Sequence, residues 1–281
     1  MKEGTFLGRL RSWYSFRVLP KVKDLPGAFQ VNKFLGLLND LVVDRPEGEV
    51  FSPYERDWDV LIILDACRYD FYSEFFPEVG KRVSRASHSR EYFSENYSEG
   101  DFSDIVYISA NGHLSPSNFE EATGREPDGV FHRVEHLTLD DWDDDLGVVP
   151  PGKVTDSAIE MEDKFPGKRK VIHFMQPHKP YINTEGDWAF EEVWRGEKSF
   201  EDLDQAYRDN IEVVLPEIER IKENLDGKIV VTADHGELLG EYSLYGHLYG
   251  LNAAELREVP WHVVKDGEKS IESEDIEGLD I

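Results

Sequence analysis

Residues Lys228 to His247 read KIVVTADHGELLGEYSLYGH, and the order of residue types in that stretch decides the fold. Ile229, Val230 and Val231 form a short β-branched run, the kind that fits a strand buried on both faces of a parallel sheet. Asp234, His235, Gly236 and Glu237 follow at once. In an open α/β sheet, ligands collect just beyond the carboxyl ends of the strands. An adjacent carboxylate and imidazole make a good metal-ligand pair, and Gly236 is expected to let the backbone turn sharply. Taken alone, the pair also fits an ordinary strand-end turn. A second strand of the same design shifts the balance.

That strand is Asp59–Asp65, DVLIILD, running into Ala66, Cys67, Arg68, Tyr69 and Asp70. Two buried strands that each deliver an acid to one sheet edge place Asp65, Asp234 and His235 around a single cation. Oxygen ligands with one imidazole suit Mn, Mg or Zn better than Ca. Asp65 also fits a helix N-cap for the segment that follows.

The rest of the chain alternates in the same manner. Further strands are expected at 104–109, 170–174 and 259–264, with an edge strand at 131–134. Helices are expected at 31–43, 70–76, 154–165 with Thr155 as N-cap, and 200–224, where Pro216 implies a kink or a break. Residues 83–92, VSRASHSREY, read as a small-residue polar loop, and DDWDDD at 140–145 as a solvated surface turn rather than a calcium loop. The pattern predicts a three-layer α/β/α sandwich on a mostly parallel sheet. The domain would span 51–266, between a leader over 1–50 and an acidic mobile tail over 267–281.

With 281 residues, 40% of them hydrophobic, there is ample material for a core. A formal charge of −27 argues against nucleic acid as partner, since a phosphate backbone needs a basic footprint and none is visible. It fits adaptation to a high-salt cytoplasm, where screening removes self-repulsion. The lone cysteine, Cys67, rules out an internal disulfide and fits a cytoplasmic protein. No signal peptide or transmembrane run is evident. Lys2, Arg9, Arg11, Arg17, Lys21 and Lys23, interleaved with Phe6, Leu10, Trp13 and Phe16, form the only basic segment. It fits either an arm docked on the protein's own acidic surface or an amphipathic helix at the inner membrane surface.

TADHGE followed by GE and GH, with LDACRYD upstream and HFMQPHKPY between, resembles the alkaline phosphatase/sulfatase superfamily, in particular its small sulfatase-like archaeal branch. The likeness runs from about Asp59 to Val264. It implies an alkaline phosphatase-like fold and a metal-dependent enzyme acting on a phosphate or sulfate ester. In that family a hydroxyl or modified cysteine attacks phosphorus or sulfur beside the metal. The matching hydroxyl is Ser89, two residues before Glu91-Tyr92, with Ser87 as competitor.

The resemblance thus implies a metal set of Asp65, Ser89, Asp234 and His235. It gives His178 and His247 to substrate contact and proton transfer, leaving His173 as a core histidine. Arg68 would contact a bound anion or pair with Asp70. Cys67 lacks the C-x-P-x-R setting of sulfatase cysteines and reads as a small buried residue. No spacing for a second metal is found, so one divalent ion is expected. The alternatives left open are a sulfatase proper, a phosphoglycerol-type transferase on lipid or glycan head groups, and a non-catalytic metal-binding relative.

Overall fold

The two apolar runs VLIIL and IVVTA lie side by side in parallel, from Val60 opposite Ile229 to Leu64 opposite Ala233. Every residue of both is buried, so neither run has a wet face. In-register pairing ends both strands at one edge, and that delivers Asp65 and Asp234 to the same place. The computed structural model describes residues 6–14, 43–184 and 190–267.

The strands are β1 (Val50–Phe51), β2 (Val60–Leu64), β3 (Gly80–Ser84), β4 (Phe102–Ser109), β5 (Phe131–His136), β6 (Arg169–Phe174), β7 (Ile229–Ala233), β8 (Leu238–Leu239), β9 (Tyr245–Gly246) and β10 (Glu258–Lys265). Eight of them make one sheet in the order β1-β3-β10-β7-β2-β6-β4-β5, while β8 and β9 pair separately. All neighbours in the large sheet are parallel except β10, which runs against both β3 and β7. The expected strands are all present, and β5 is indeed at the edge.

The helices are α1 (Phe6–Trp13), α2 (Tyr69–Phe75), α3 (Ser89–Tyr97), α4 (Pro116–Thr123), α5 (Leu137–Asp140), α6 (Pro151–Lys164), α7 (Phe190–Arg195), α8 (Phe200–Asn224) and α9 (Ala254–Arg257). Alternation along β2 splits the core between two faces. Val60, Ile62 and Leu64 meet Phe71 and Tyr72 of α2, Val154 and Met161 of α6, and Leu203 and Ile211 of α8. Leu61 and Ile63 meet Tyr92, Phe93 and Tyr97 of α3 and Phe119 of α4. The result is the expected three-layer α/β/α arrangement.

Several local expectations need correction. Residues 83–92 are not one loop: Val83 and Ser84 end β3, and Ser89 opens α3. Thr155 is buried inside α6, which starts at Pro151 behind Pro150, because proline suits a first helical position, where no N–H is needed. Helix α8 runs unbroken through Pro216, after a capping box of Ser199 and Asp202. The proline costs about 3 kcal/mol. Val214, Ile218 and Ile221 are all buried around it, and at about 1.5–3 kcal/mol each their burial outweighs that cost. The expected helix at 31–43 and the acidic tail lie outside the described residues, Val43 and Gly267 excepted. Of the leader, α1 lies against the turn at Glu241–Ser243, with Arg11 buried and Phe6 and Trp13 exposed.

Candidate active site

Asp65 follows β2 and is buried, and it is not a helix cap, since Arg68 occupies the N-cap position of α2. Its carboxylate is therefore left to the site. The next residue, Ala66, has a left-handed backbone with φ of 59°, which costs about 1 kcal/mol for a residue with a Cβ. Two contacts hold it there. The Ala66 N–H donates to Asp234 Oδ1 at 3.1 Å, and the Tyr207 hydroxyl donates to the Ala66 carbonyl at 2.5 Å.

Asp234 Oδ1 also accepts from the His235 N–H at 2.9 Å, and Ser84 Oγ donates to the Asp234 carbonyl at 2.5 Å. Gly236 is required here by close approach rather than by a turn, since its φ is not positive. Its N–H donates to the Leu256 carbonyl at 2.7 Å, and a Cβ there would lie 2.1 Å from the Glu255 carbonyl oxygen. The α9 turn thus clamps the loop that carries the ligands.

Ser89 is the first residue of α3, with His88 at the N-cap accepting from the Arg90 N–H. Ser89 Oγ stands 3.1 Å from His235 Nε2. The His235 Nδ1 faces the Gly236 carbonyl at 2.8 Å. A carbonyl only accepts, so the proton is on Nδ1 and the Nε2 lone pair faces Ser89. The sequence reading missed Asn111, whose Nδ2 reaches both Asp65 Oδ2 at 2.5 Å and Ser89 Oγ at 3.1 Å. Its only signal was its place just beyond β4. Ser87, by contrast, is committed to the frame: its Oγ donates to Glu91 and the Leu248 carbonyl and accepts from the Gly250 N–H.

His247 and His178 also reach this edge, their rings 5.0 Å apart. Nδ1 of His247 pairs with the fully buried Glu237 at 3.0 Å. The loop bearing His178 is held by the Asn210 side chain, which donates to the Pro177, His178 and Pro180 carbonyls. His173 is buried in β6, as expected of a core residue, with Nδ1 at 3.0 Å from the Tyr107 hydroxyl. Its Nε2, however, points at Asp234 and Asp65, 3.8 and 4.0 Å away. Arg68 does not join the site. Its guanidinium is buried in ion pairs with Asp70 and Glu241 and donates to the Glu237 carbonyl, so of the two readings the pairing with Asp70 is the observed one. Cys67 is buried, its thiol pushed well above the ordinary range by burial and by Asp70.

Of these side chains, Asp65, Ser89, Asn111, His178 and His247 line the inner end of a cavity of about 530 Å³, together with Lys179. Burial, with Asp234 and Glu237 close by, raises the Asp65 carboxyl well above its usual range. Burial likewise lifts Asp234 to about 6, against the hydrogen bonds it accepts. His235 falls well below its ordinary value through burial and the charge of His247. Burial lowers His178 to about 4, with His247 adding to the effect. Burial would lower His247 too, but the Glu237 carboxylate outweighs it and holds that imidazole above its ordinary value. A neutral imidazole thus stands beside a charged one.

The donor set fits a cation. Asp65 Oδ1 and Asp234 Oδ2 are buried without a hydrogen-bond partner, and the lone pair of His235 Nε2 lies 3.9 and 3.3 Å from them. Facing acceptors with no proton between them repel unless a positive ion joins them. Among the described residues two groups have ligand atoms within 4.8 Å of one another: Asp65, His173 and Asp234, and His178, Glu237 and His247. The second group was not legible as a metal spacing.

The large, mostly parallel central sheet of eight strands gives the chain an alkaline phosphatase-like fold. It is similar to the soluble domain of lipooligosaccharide phosphoethanolamine transferase A from Neisseria meningitidis, with a TM-score of 0.50 and 14% identity, covering 79% of this chain and 80% of that one. Against the integral membrane form of that transferase the TM-score is 0.53 at 14% identity, over 90% of this chain and 58% of that one. In sequence it is 30% identical over 130 residues to the low-salt glycan biosynthesis sulfotransferase Agl7 of Haloferax volcanii. That match spans 42% of this chain and 32% of the relative. No family model matches.

Proposed function

We propose that the protein is a metal-dependent group-transfer enzyme in which Ser89 takes a phosphoryl or sulfuryl group from an anionic ester and passes it to an acceptor. The observation that carries this reading is the convergence of Ser89 Oγ with the unpartnered buried oxygens of Asp65 and Asp234 and with Nε2 of His235. Asp65, Ser89, Asp234 and His235 would hold one divalent ion, Mn, Mg or Zn. Bound there, it would lower the pKa of the Ser89 hydroxyl and offset charge building on the transferring group.

The remaining roles fall to the chain itself. Asn111 holds Ser89 and Asp65 in mutual register. With its proton lost to solvent, Ser89 Oγ bonds to phosphorus or sulfur as the bond to the leaving oxygen breaks. His247, kept protonated by Glu237, delivers a proton to that oxygen. In the second half the acceptor hydroxyl attacks, the bond to Ser89 Oγ breaks, and the acceptor's proton returns to His247. His178, kept neutral, donates an N–H to a substrate oxygen. A glycan or lipid head group is favoured over water as acceptor, because the relative from Haloferax volcanii is by name a glycan biosynthesis sulfotransferase.

The test is turnover of phosphate monoesters, phosphate diesters and sulfate esters by chelator-stripped protein in high salt, with Mn, Mg, Zn or Ca restored. Cleavage should return with metal, Ser89→Ala should abolish it and Ser87→Ala should retain it. Mass spectrometry of the quenched wild type should find the phosphoryl or sulfuryl group on Ser89. Full turnover by Ser89→Ala would overturn the mechanism. Tight metal binding without turnover of any ester would favour a non-catalytic role.

A further inference from the structure

The outer part of the same cavity is built differently from its inner end. Beyond the carboxyl end of β5, α5 leads into Asp141 and Trp142, and Trp142, 48% exposed, lines the cavity that holds Ser89. It is the one Phe, Tyr or Trp among that cavity's described lining residues. The turn that follows it is braced. Asp143 Oδ1 accepts from the Asp145 and Leu146 N–H groups, and the Asp143 N–H donates to the Val148 carbonyl at 3.2 Å. Gly147 closes the turn with φ of 66°, its N–H bonded to the Asp143 carbonyl at 2.8 Å.

A half-exposed indole beside a braced turn is a flat apolar surface on which a ligand can stack. Trp142 is flanked in sequence by the acids of the run Asp140 to Asp145. Such a run repels the anionic end of an ester, which belongs beside Ser89, where Lys179 also lines the cavity. What rests on Trp142 is thus the uncharged part of the substrate. An ammonium group fits less well. It favours a cage of several aromatic rings, whereas one ring is present, Asp141 is paired with Lys153 at 3.5 Å, and Asp143 Oδ1 is taken by two backbone N–H groups. A pyranose ring suits the site: it has an apolar face for the indole and hydroxyls that stay in water at this half-exposed edge of the cavity.

We infer that Trp142 is a sugar-ring platform, so that the ester handled at Ser89 is a phosphate or sulfate carried on, or passed to, a sugar. This rests on the reading of the inner cavity as an ester-transfer site, and the test separates the two by measuring binding without turnover.

Calorimetric titration in high salt with Mn, Mg or Zn added would use the full chain carrying Ser89→Ala, alone and combined with Trp142→Ala or Trp142→Phe. The probes are methyl glucoside 6-sulfate, methyl glucoside 6-phosphate, the ring-less propyl sulfate and propyl phosphate, and phosphocholine. Trp142→Ala should weaken a hexoside ester about tenfold, the scale of one aromatic stacking contact. Trp142→Phe should retain most of the affinity, and the propyl esters should bind equally to all forms. Sulfate and phosphate arms with the same Trp142 dependence would leave the inner end to choose between them. Equal hexoside affinity with and without Trp142 would overturn the inference, even if Ser89-dependent ester turnover stood. Phosphocholine binding more tightly than the hexoside, with loss on Trp142→Ala, would overturn it in favour of a cation site.

Discussion

Replacing Asp234 with Asn should stabilise the metal-stripped protein while removing its response to metal. Asp234 is fully buried, and one of its oxygens has no partner. Burial raises its carboxyl to about 6, against an ordinary value of 3.8. At ~1.4 kcal/mol per pH unit, that gap corresponds to about 3 kcal/mol. The sign follows from which state holds the proton. A folded state that binds it more tightly is favoured below pH 3.8, and this contribution disappears as pH rises through about 6. At pH 7.5 the chelated wild type therefore bears the whole penalty of an ionised, buried carboxylate. The carboxamide introduced by Asp234→Asn would keep the bonds that Oδ1 accepts from the Ala66 and His235 N–H groups, without the charge. Urea unfolding in high salt, followed from pH 4 to 8 with chelator, should show Asp234→Asn ahead by up to about 3 kcal/mol at the upper end and level with wild type near pH 4. Added metal should reverse the order, because it stabilises only a folded state able to bind it. If the variant is less stable than wild type at pH 7.5 in chelator and both gain equally from metal, Asp234 is not a ligand held at electrostatic cost.

Other substitutions test neighbouring parts of the argument. Arg68→Met should cost about 3–5 kcal/mol in denaturant unfolding, because it strips the partner from the nearly buried Glu241; a stable variant with only a raised KM would instead restore Arg68 to anion binding. Gly236→Ala should cost at least about 3 kcal/mol and abolish metal binding, since the new Cβ meets the Glu255 backbone, which cannot swing aside; calorimetry with metal reads both. Glu237→Gln should move the alkaline limb of the kcat profile to lower pH, as the carboxylate that keeps His247 protonated is removed. An unmoved limb would assign the proton to another group.

The sheet was legible because its central strands are uninterrupted apolar runs, and burial on both faces leaves such runs few alternatives. Both acids and His235 could be placed for the same reason, each following such a run by one or two residues. Ser89 was identifiable by its offset from Glu91-Tyr92, while the residues around it read as a loop: His88 caps the helix through its ring, a role usually filled by Ser, Thr, Asp or Asn. Asn111 escaped because nothing local marks it; its importance lies in two contacts made 46 and 22 residues away. Arg68 was ambiguous for a similar reason: its partner Glu241 is 173 residues off. Gly236 was noticed for conformational freedom, yet what it supplies is room for a carbonyl that only the antiparallel return into β10 brings near.

The charges of the inner site argue for a doubly charged ion. Asp65, Asp234 and Glu237 bring three carboxylates into a buried volume. Of the histidines around them, His88, His178 and His235 are all lowered by burial, so they offer lone pairs rather than charge. Only His247 is held above its ordinary value. With all three acids ionised the shell carries two uncompensated negative charges, and the buried Arg68 is already shared between Asp70 and Glu241. An anionic ester would be repelled from that shell as it stands. A divalent ion restores neutrality, and it does so where the unpartnered oxygens of Asp65 and Asp234 face Ser89 and His235. The arrangement that makes the folded chain costly without metal is therefore the one that would admit a substrate once metal is bound.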